Sequence, residues 1–214
     1  MTPKELAFAT ISFAFIACSS NGEESDSYDW VYDGETVEIG TQIWMAKNLN
    51  YNAEGSKCYE NIRGNCAKYG RLYNWETAMK ICPNGWHLPS NEDWEKLFRF
   101  VDGDTSSRNP YSSETAGKHL KAVIGWDPYD GVENLDTYGF SALPGGYYLD
   151  DSFYGVGFHS VGSSGLWWSA GKDNDSYTYR SSYTYLYGMF YYDDSALWGH
   201  DNMSALLSVR CLQD

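Results

Sequence analysis

The chain has little positive charge and no long apolar run. Its 214 residues include 15 Lys and Arg against 29 Asp and Glu, which gives a formal net charge of −14. Such a surface repels phosphate backbones, so the composition argues against nucleic acid as a partner. The N-terminal apolar run covers only residues 6–17. It is too short to span a bilayer as a stable helix and is typical of a signal-peptide core, so we predict that residues 1–17 are a targeting signal.

The sequence also lacks the common spacings of metal-binding and catalytic residues. It contains no His-x-x-x-His, His-Glu-x-x-His or Cys-x-x-Cys, which argues against zinc, and no Gly-x-Ser-x-Gly elbow for a serine nucleophile. We predict that His87 is a buried, hydrogen-bonded residue rather than a ligand or general base. Adjacent carboxylates such as Asp150-Asp151 support glycosidase chemistry only at a separation that sequence does not give. We therefore predict no catalytic residues and no metal site.

The apolar run ends in Phe15-Ile16-Ala17-Cys18. A small residue directly before a cysteine resembles the bacterial lipobox, in which cleavage leaves the cysteine as a lipid-bearing N-terminus. We therefore predict that Cys18 is lipidated; the alternative is an ordinary secretory signal followed by a buried Cys18. Ser19 stands where an aspartate would resemble an inner-membrane retention signal. We expect a protein anchored in the outer membrane and exposed on the surface of a bacterial cell envelope.

The sequence after the predicted signal divides into a tether and one domain. Residues 18–35 begin with a polar, acidic stretch that buries too little apolar surface to offset its ordering entropy, which predicts a flexible acidic tether. Residues 36–214 are predicted to form a single domain. With 43% hydrophobic and 17% aromatic residues, the chain has enough apolar area for one sizeable core.

Four cysteines lie in the predicted domain, and an exported, oxidising location favours disulfides over metal ligation. They allow three pairings. Cys58 and Cys66 flank a short segment in which Arg63-Gly64-Asn65 offers a tight reversal, so the spacing favours a Cys58–Cys66 bridge. This choice leaves Cys82 for Cys211, a pair that would fasten the C-terminal part of the chain to the core.

Local patterns predict a hairpin and two main helices. Two short runs, Thr36–Ile39 and Gln42–Met45, flank a two-residue loop that starts with glycine, which predicts the hairpin. Apolar residues at helical spacing predict a short helix over Arg71–Cys82. The second helix is predicted to follow Ser90, a capping residue for the amide of Asp93, and to end before Gly103. Its apolar stripe consists of Trp94, Leu97, Phe98 and Val101.

The rest of the chain has few helical patterns. A weaker one covers residues 113–123, after which glycine and aromatic residues predict strands and long loops. Large indole rings beside the predicted elements are expected to supply core area and to need local partners for their N–H groups. These core tryptophans are Trp44, Trp75, Trp86, Trp94 and Trp168.

Six blocks of the sequence resemble one bacterial family. They are Val37–Leu49, Cys66–Trp75, Cys82–Ser90, Gly139–Gly146, Leu166–Ser169 and Ser208–Cys211. Together they make residues 36–212 similar to the Fibrobacter succinogenes major paralogous domain. The resemblance implies an exported, often lipid-anchored protein with an α+β, C-type-lectin-like fold, related also to formylglycine-generating enzymes, with two main helices, a twisted antiparallel sheet and long aromatic loops. It implies no activity. The copper-dependent oxidation of formylglycine-generating enzymes is not expected, because Cys82 and Cys211 lie in blocks that look structural.

The stretch from Gly145 to Asp201 concentrates tyrosine, tryptophan and acidic residues. Tyrosine offers rigid contact area with one polar tip, which suits sugar rings or protein loops. If Tyr183–Tyr187 is a strand, its alternating tyrosines share one face, so we predict a ligand-binding surface here. The candidate residues are Tyr183, Tyr185, Tyr187, Tyr191, Trp198, Asp193 and Asp194. The alternative is that these rings pack inside the domain.

These observations predict a noncatalytic cell-surface lipoprotein that binds an extracellular glycan or a surface protein, including a role in adhesion to plant fibre. It would contact the membrane through its lipid only. One alternative is a structural envelope protein with no small ligand, and another is an uncharacterised enzyme. No cofactor is expected; the alternative is calcium, since residues 127–134 and 173–175 supply closely spaced oxygens, although neither segment fits an EF-hand loop.

Overall fold

The computed structural model describes residues 28, 30–103, 112–150, 155–172 and 182–214. Over these residues the chain has an α+β fold with few helices and mainly antiparallel sheets, which confirms the predicted class. The helices are α1 (Arg63–Tyr69), α2 (Trp75–Ile81), α3 (Asn91–Val101) and α4 (Ala116–Leu120). The strands are β1 (Thr36–Ile39), β2 (Gln42–Met45), β3 (Leu72–Tyr73), β4 (Trp86–His87), β5 (Tyr147–Leu149), β6 (Gly157–His159), β7 (Ser164–Lys172), β8 (Tyr183–Phe190), β9 (Ala196–Asn202), β10 (Leu207–Ser208) and β11 (Leu212–Gln213).

The described strands form three sheets. The first has the order β1-β2-β11-β4, so strands from the two ends of the domain pair with each other, and it contains the predicted β1–β2 hairpin. The second has the order β3-β10-β7-β8-β9, antiparallel except between β10 and β7. The third is the β5–β6 pair. Strand β9 is therefore an edge strand of the second sheet.

Helix α3 has the predicted boundaries and cap. The Ser90 hydroxyl oxygen accepts a hydrogen bond from the Asp93 amide, and the Asp93 carboxylate accepts one from the Ser90 amide. These two bonds form a capping box, which satisfies two backbone donors that the first helical turn leaves without partners. The whole predicted apolar stripe of this helix is buried.

The predicted helix over residues 71–82 is wrong at its start. Leu72 and Tyr73 pair with β10 as strand β3, and the chain turns at Asn74. The Asn74 side chain accepts a hydrogen bond from the Thr77 amide, so α2 begins at Trp75. A long-range strand pairing thus removes the first turn that local periodicity predicts.

Two further local predictions differ from the structure. Arg63-Gly64-Asn65 is not a tight reversal but the first turn of α1, and Gly70, with a φ of +81°, ends that helix. The helix predicted over residues 113–123 is restricted to α4. It ends there because Lys121 adopts an extended conformation and pairs with Ala142.

Two apolar clusters lie on opposite faces of β7 and β8. On the first face, Trp94 of α3 contacts Trp167 and stacks on Tyr187, with a ring-centroid distance of 5.2 Å. On the second, Trp168 packs beside α2 and donates its Nε1–H to the carbonyl of Tyr73 at 2.7 Å. Successive residues of a strand point to opposite faces, so neighbouring tryptophans serve different clusters. We call these the α3 face and the α2 face of the second sheet.

The predicted tryptophan core is largely confirmed. Four of the five rings are buried, whereas Trp86 is only half-buried. Trp75 has a hydrogen-bond partner on a distant strand, because its Nε1–H donates to the Ser169 carbonyl of β7 at 2.9 Å. The indole nitrogens of Trp44 and Trp94 have no hydrogen-bond partner among the described residues.

Both predicted disulfides are present. Cys58–Cys66 links α1 to the segment before it, and Cys82–Cys211 joins the end of α2 to the segment between β10 and β11. The second bridge spans a sequence separation of 129 residues. It therefore fastens the C-terminal strands to the middle of the chain.

The segment before β1 packs on the domain. Trp30 stacks on Tyr51 at a centroid distance of 5.1 Å and donates its Nε1–H to the Ile81 carbonyl at 3.0 Å. Tyr32 contacts the Trp86 ring edge-on at 5.2 Å. Trp30 and Tyr32, which belong to the predicted tether, therefore pack on the domain.

The predicted signal peptide, the lipidated Cys18 and tether residues 18–27 and 29 lie outside the described residues. Within the part of the chain that is described, no helix combines the length and the apolar character needed to cross a membrane.

Candidate functional site

An open cleft of about 770 Å³ lies on the α2 face of the second sheet. Strands β7, β8 and β9 supply its floor, and β5 and the segment after β8 supply its walls. The residues that line it are Tyr147, Leu149, Asp150, Ser160, Ser163, Ser164, Leu166, Tyr183, Leu186, Phe190, Tyr191, Tyr192, Gly199, His200, Asp201, Asn202, Ser204 and Ala205. A volume of this size is in the range of pockets that bind small molecules or short segments of a polymer.

Alternate side chains of β5 point into the cleft and form one of its walls. Tyr147 and Leu149 line it, whereas the intervening Tyr148 packs edge-on against Phe158 in a separate apolar cluster. Two backbone hydrogen bonds between Tyr148 and Leu206, of 3.0 and 2.9 Å, fix this strand to the domain. The Tyr147 ring stacks on His159 of the paired strand at a centroid distance of 5.5 Å, which fixes the position of the ring.

The floor is open because glycine replaces a side chain at the edge of the sheet. Gly199 of β9 pairs with Leu186 of β8, which lines the floor together with Leu166. A Cβ atom on Gly199 would lie 3.3 Å from Cδ1 of Leu186, so any larger residue here would extend into the cleft. Gly188 belongs to the same face, and a Cβ atom there would lie 2.7 Å from Leu166.

Aromatic rings form the opposite wall. Phe190 and Tyr192 stack at a centroid distance of 5.6 Å, and Tyr191 meets Tyr192 edge-on at 5.3 Å. The Tyr191 amide donates to the Ser163 carbonyl at 3.0 Å, which ties this segment to the chain before β7. The rings present flat apolar faces together with phenolic hydroxyls, a combination that suits sugar rings.

The charged groups of the cleft are acidic. Asp150 is exposed at the end of β5, and Asp201 lies half-buried on β9 with its Oδ1 accepting from the Asn202 amide at 2.7 Å. His200 lies between Gly199 and Asp201 on the same strand. None of the described lining residues is Lys or Arg. The described lining residues therefore give the cleft two carboxylates and one imidazole, but no lysine or arginine side chain.

The structure separates the residues predicted to bind a ligand. Tyr183 and Tyr191 line the cleft. Tyr187 is 2% exposed and belongs to the core cluster on the α3 face. Tyr185 meets Trp198 at 5.8 Å on that same face, outside the cleft, and Trp198 is 39% exposed. Tyr185 and Tyr187 share the α3 face, as strand alternation predicts, whereas Tyr183, the first residue of β8, lines the cleft.

Asp193 and Asp194 lie outside the cleft, beside a buried lysine. The Lys121 ammonium donates to the carbonyls of Asp193 and Phe190 at 2.6 and 2.9 Å. Burial lowers the pKa of Lys121, and the nearby carboxylates of Asp194 and Asp193 oppose this effect. These two aspartates thus stabilise the Lys121 ammonium and do not face the cleft.

Sequence reasoning missed several residues of the cleft, namely Tyr147, Asp150, Tyr192, His200 and Asp201. All of them belong to the aromatic, acidic stretch from Gly145 to Asp201, so its composition was a usable signal. Composition does not tell which face of a strand each residue takes. That choice depends on contacts with distant segments, such as the hydrogen bonds between Tyr148 and Leu206.

The other candidate sites do not assemble. His87 is hydrogen-bonded as predicted, to Asp214 Oδ1 at 2.7 Å and to Asp93 Oδ2 at 3.4 Å, but its side chain is 41% exposed rather than buried. Among the residues that the structure describes, no three His, Cys, Asp or Glu side chains converge to hold a metal ion. Residues 173–175 of the calcium alternative lie outside those residues, as does Asp151.

Comparison with known proteins gives one match. The sequence profile of the Fibrobacter succinogenes major domain matches residues 37–213. No curated protein and no solved structure matches the chain significantly. The match covers the first hairpin, all four helices, the cleft and both disulfides.

Proposed function

The chain belongs to the Fibrobacter succinogenes major domain family, and from this membership and the geometry of the cleft we propose that it is a noncatalytic cell-surface lipoprotein that binds an extracellular glycan. The cleft supports this proposal most directly. It combines an open volume of about 770 Å³, tyrosine rings on two walls and acceptor groups for hydroxyls. Stacking on flat apolar faces and hydrogen bonds to hydroxyls are the two interactions that a sugar chain offers.

A variant that fills the cleft tests the proposal. Gly199→Phe places a ring on the floor without removing any group that contacts the ligand. Leu197→Phe is the matched control, because Leu197 is an exposed residue of the same strand, 38% accessible, that does not line the cleft. Binding would be measured by pull-down on insoluble cellulose and xylan and on a glycan array.

We expect the parent protein and Leu197→Phe to bind, and Gly199→Phe to bind at least about tenfold more weakly. Tyr147→Ala should also weaken binding, since it removes one aromatic face on which a sugar ring can stack. An absence of binding by the parent with both disulfides intact would count against a glycan ligand. If Gly199→Phe bound as tightly as the parent protein, the glycan would have to bind outside the cleft.

The noncatalytic role and the absence of a cofactor have their own readouts. Incubation with soluble xylan and cello-oligosaccharides should release no new reducing ends. Binding should be the same with EDTA and with added Ca²⁺, because no three acidic side chains of the described residues converge on one point. Release of reducing ends would favour the enzyme alternative, and loss of binding in EDTA would favour calcium.

We also propose that Cys18 anchors the protein in the outer membrane and that the domain faces outward. The support is the sequence Phe15-Ile16-Ala17-Cys18 at the end of an apolar run. In intact cells, Cys18→Ser should abolish the mass increase of the diacylated N-terminus and release the protein from the membrane fraction. Retention of the Cys18→Ser protein in the outer membrane would contradict the anchor.

The fold is further proposed to be C-type-lectin-like. In support, β2 and β11 pair although they lie near opposite ends of the domain, and the short helices pack on the sheets. An experimental structure compared with solved C-type-lectin-like domains tests this assignment. A strand order that no such domain shares would contradict it.

A protein partner is the second candidate ligand. Leu197 and Trp198 are both more than a third exposed on the edge strand β9, and an exposed edge can pair with a strand of another protein. Cross-linking on intact cells would test this role. Trp198→Arg should then abolish a discrete cross-linked product that Gly199→Phe leaves unchanged.

A further inference from the structure

The charged residues of the cleft limit which class of glycan it can bind. Two of its lining residues are carboxylates, Asp150 and Asp201, and none of the described lining residues carries a lysine or arginine side chain. The protein around them carries a formal net charge of −14. A bound sugar that is itself anionic would therefore face two like charges, with no lysine or arginine partner from these residues and His200 as their one basic side chain.

We propose that the ligand of the cleft is a neutral or amine-bearing sugar chain, and that Asp150 and Asp201 make the cleft reject chains of uronic acids. This inference rests on the proposed glycan-binding function of the cleft. Ionised carboxylates accept hydrogen bonds only, so they match the hydroxyl donors of a neutral sugar. A protonated amine would add attraction to the carboxylates and to the tyrosine faces.

The position of the two carboxylates explains why they could act together on one chain. Asp150 ends the β5 wall, directly after Leu149, whereas Asp201 lies on β9 beside His200, at the other border of the cleft. A polymer that crosses the cleft from the β5 wall to β9 would pass both groups. Tyr147 of β5 and Tyr183 of β8, the strand that pairs with β9, also line the cleft.

The solvent exposure of Asp150 and Asp201 limits how strongly they repel an anionic sugar. Asp150 is exposed and Asp201 half-buried, so solvent and salt screen their fields. One unit charge a few ångströms from another at an effective dielectric constant between those of protein and water changes affinity by about tenfold. The discrimination should therefore be visible at physiological salt and shrink as salt is raised.

The test uses three oligosaccharides of equal length, made of glucose, glucosamine and galacturonic acid, titrated calorimetrically into the purified protein at pH 7 and 0.15 M salt. The variants are Asp150→Asn, Asp201→Asn and the double variant, which keep an acceptor oxygen and remove the charge. Asp33→Asn is the matched control, because Asp33 is exposed and does not line the cleft.

We expect the glucose and glucosamine oligomers to bind at least about tenfold more tightly than the galacturonate oligomer. The double variant should lose most of that difference, and Asp33→Asn should retain it. Equal binding of the neutral and galacturonate oligomers by the parent, or an unchanged ratio in the double variant, would overturn the inference while the glycan-binding function stands. If none of the three oligosaccharides bound, the proposed glycan-binding function would be contradicted as well.

Discussion

At the scale of single residues, one amide holds together the centre of the domain. Asn48 is 7% exposed, and its Oδ1 accepts hydrogen bonds from Trp167 Nε1 at 2.8 Å and from Arg210 Nη2 and Nε at 2.9 and 3.2 Å. Arg210 is fully buried, lies over the Phe140 ring and also donates to the Phe140 carbonyl. Burial lowers the pKa of the Arg210 guanidinium to about 9, partly offset by the Asp136 carboxylate. The cation thus relies on neutral acceptors.

We therefore predict that Asn48→Ala is severely destabilising. It removes an acceptor from a buried charge and an indole N–H at once, and such losses cost about 3–5 kcal/mol. Urea unfolding followed by tryptophan fluorescence would measure the loss. Asn50→Ala, at an exposed position two residues away, should change the free energy of unfolding by less than about 0.5 kcal/mol. A similar loss for both variants would contradict a special role of Asn48.

A buried phenol predicts how stability changes in alkali. Tyr73 is 0% exposed, and its hydroxyl donates to the Tyr51 carbonyl at 2.7 Å. Burial raises the pKa of Tyr73 well above its ordinary value of 10.0. The folded state thus keeps a proton that the unfolded state loses near pH 10. Because the unfolded state then binds fewer protons, stability must fall as pH rises through this range.

Tyr73→Phe should cost about 1 kcal/mol at pH 7, because the Tyr51 carbonyl loses its donor. Between pH 9 and 11 the variant should lose stability less steeply than the parent, because it lacks the phenol that ionises on unfolding. Urea unfolding at several pH values measures both effects. The control is Tyr192→Phe, at a position 47% exposed, which should leave the slope as in the parent. An equally steep decline in Tyr73→Phe would contradict the argument.

At the scale of elements, the sequence predicted those that depend on neighbouring residues. The β1–β2 hairpin and α3 carry their own signals, a glycine-containing two-residue loop and a capping box. The predicted start of α2 is wrong because Leu72 and Tyr73 pair with Ser208 and Leu207, which lie more than a hundred residues away in the sequence. Helix α1 was missed because Gly64 near its start reads as a turn residue.

The candidate site was predictable in composition but not in geometry. The stretch from Gly145 to Asp201 supplies most of the cleft, as its aromatic and acidic content suggested. The position of Tyr187 is set by Trp94, which stacks on it from α3. The position of Tyr147 is set by the pairing of Tyr148 with Leu206. Both are tertiary contacts that single-sequence periodicity does not contain.

The capping box of α3 gives a prediction at this scale. Ser90→Ala removes the acceptor for the Asp93 amide and should cost about 1 kcal/mol, seen as a lower midpoint of thermal unfolding. Ser90→Asp keeps a capping acceptor and should recover most of the loss. Ser182→Ala, at an exposed position before β8, is the control. A neutral Ser90→Ala would mean that the packing of Trp94, Leu97 and Phe98 alone fixes the start of the helix.

At the scale of the whole molecule, two features join the C-terminal segment to earlier parts of the domain. Strand β11 pairs with both β2 and β4, so the C-terminal residues lie in the middle of the first sheet. The Cys82–Cys211 bridge adds a covalent link next to this strand, across a separation of 129 residues, whereas Cys58–Cys66 spans 8. The cleft lies on the second sheet, whose β10 ends at Ser208, shortly before Cys211. Both the sheet and the cleft therefore depend on the C-terminal segment staying in place.

The two disulfides should contribute unequally to stability. In the chain-entropy account a bridge stabilises by restricting the unfolded chain, by about 5 kcal/mol for a loop the length of Cys82–Cys211 and about 2–3 kcal/mol for one as short as Cys58–Cys66. Replacing each pair by alanines and comparing urea unfolding would measure the difference, each double variant serving as the control for the other. The long-loop variant should also show a larger denaturant dependence of unfolding, because its unfolded chain is more expanded. Equal losses for the two pairs would mean that local packing around Cys66 and Cys211, and not loop closure, determines what each bridge contributes.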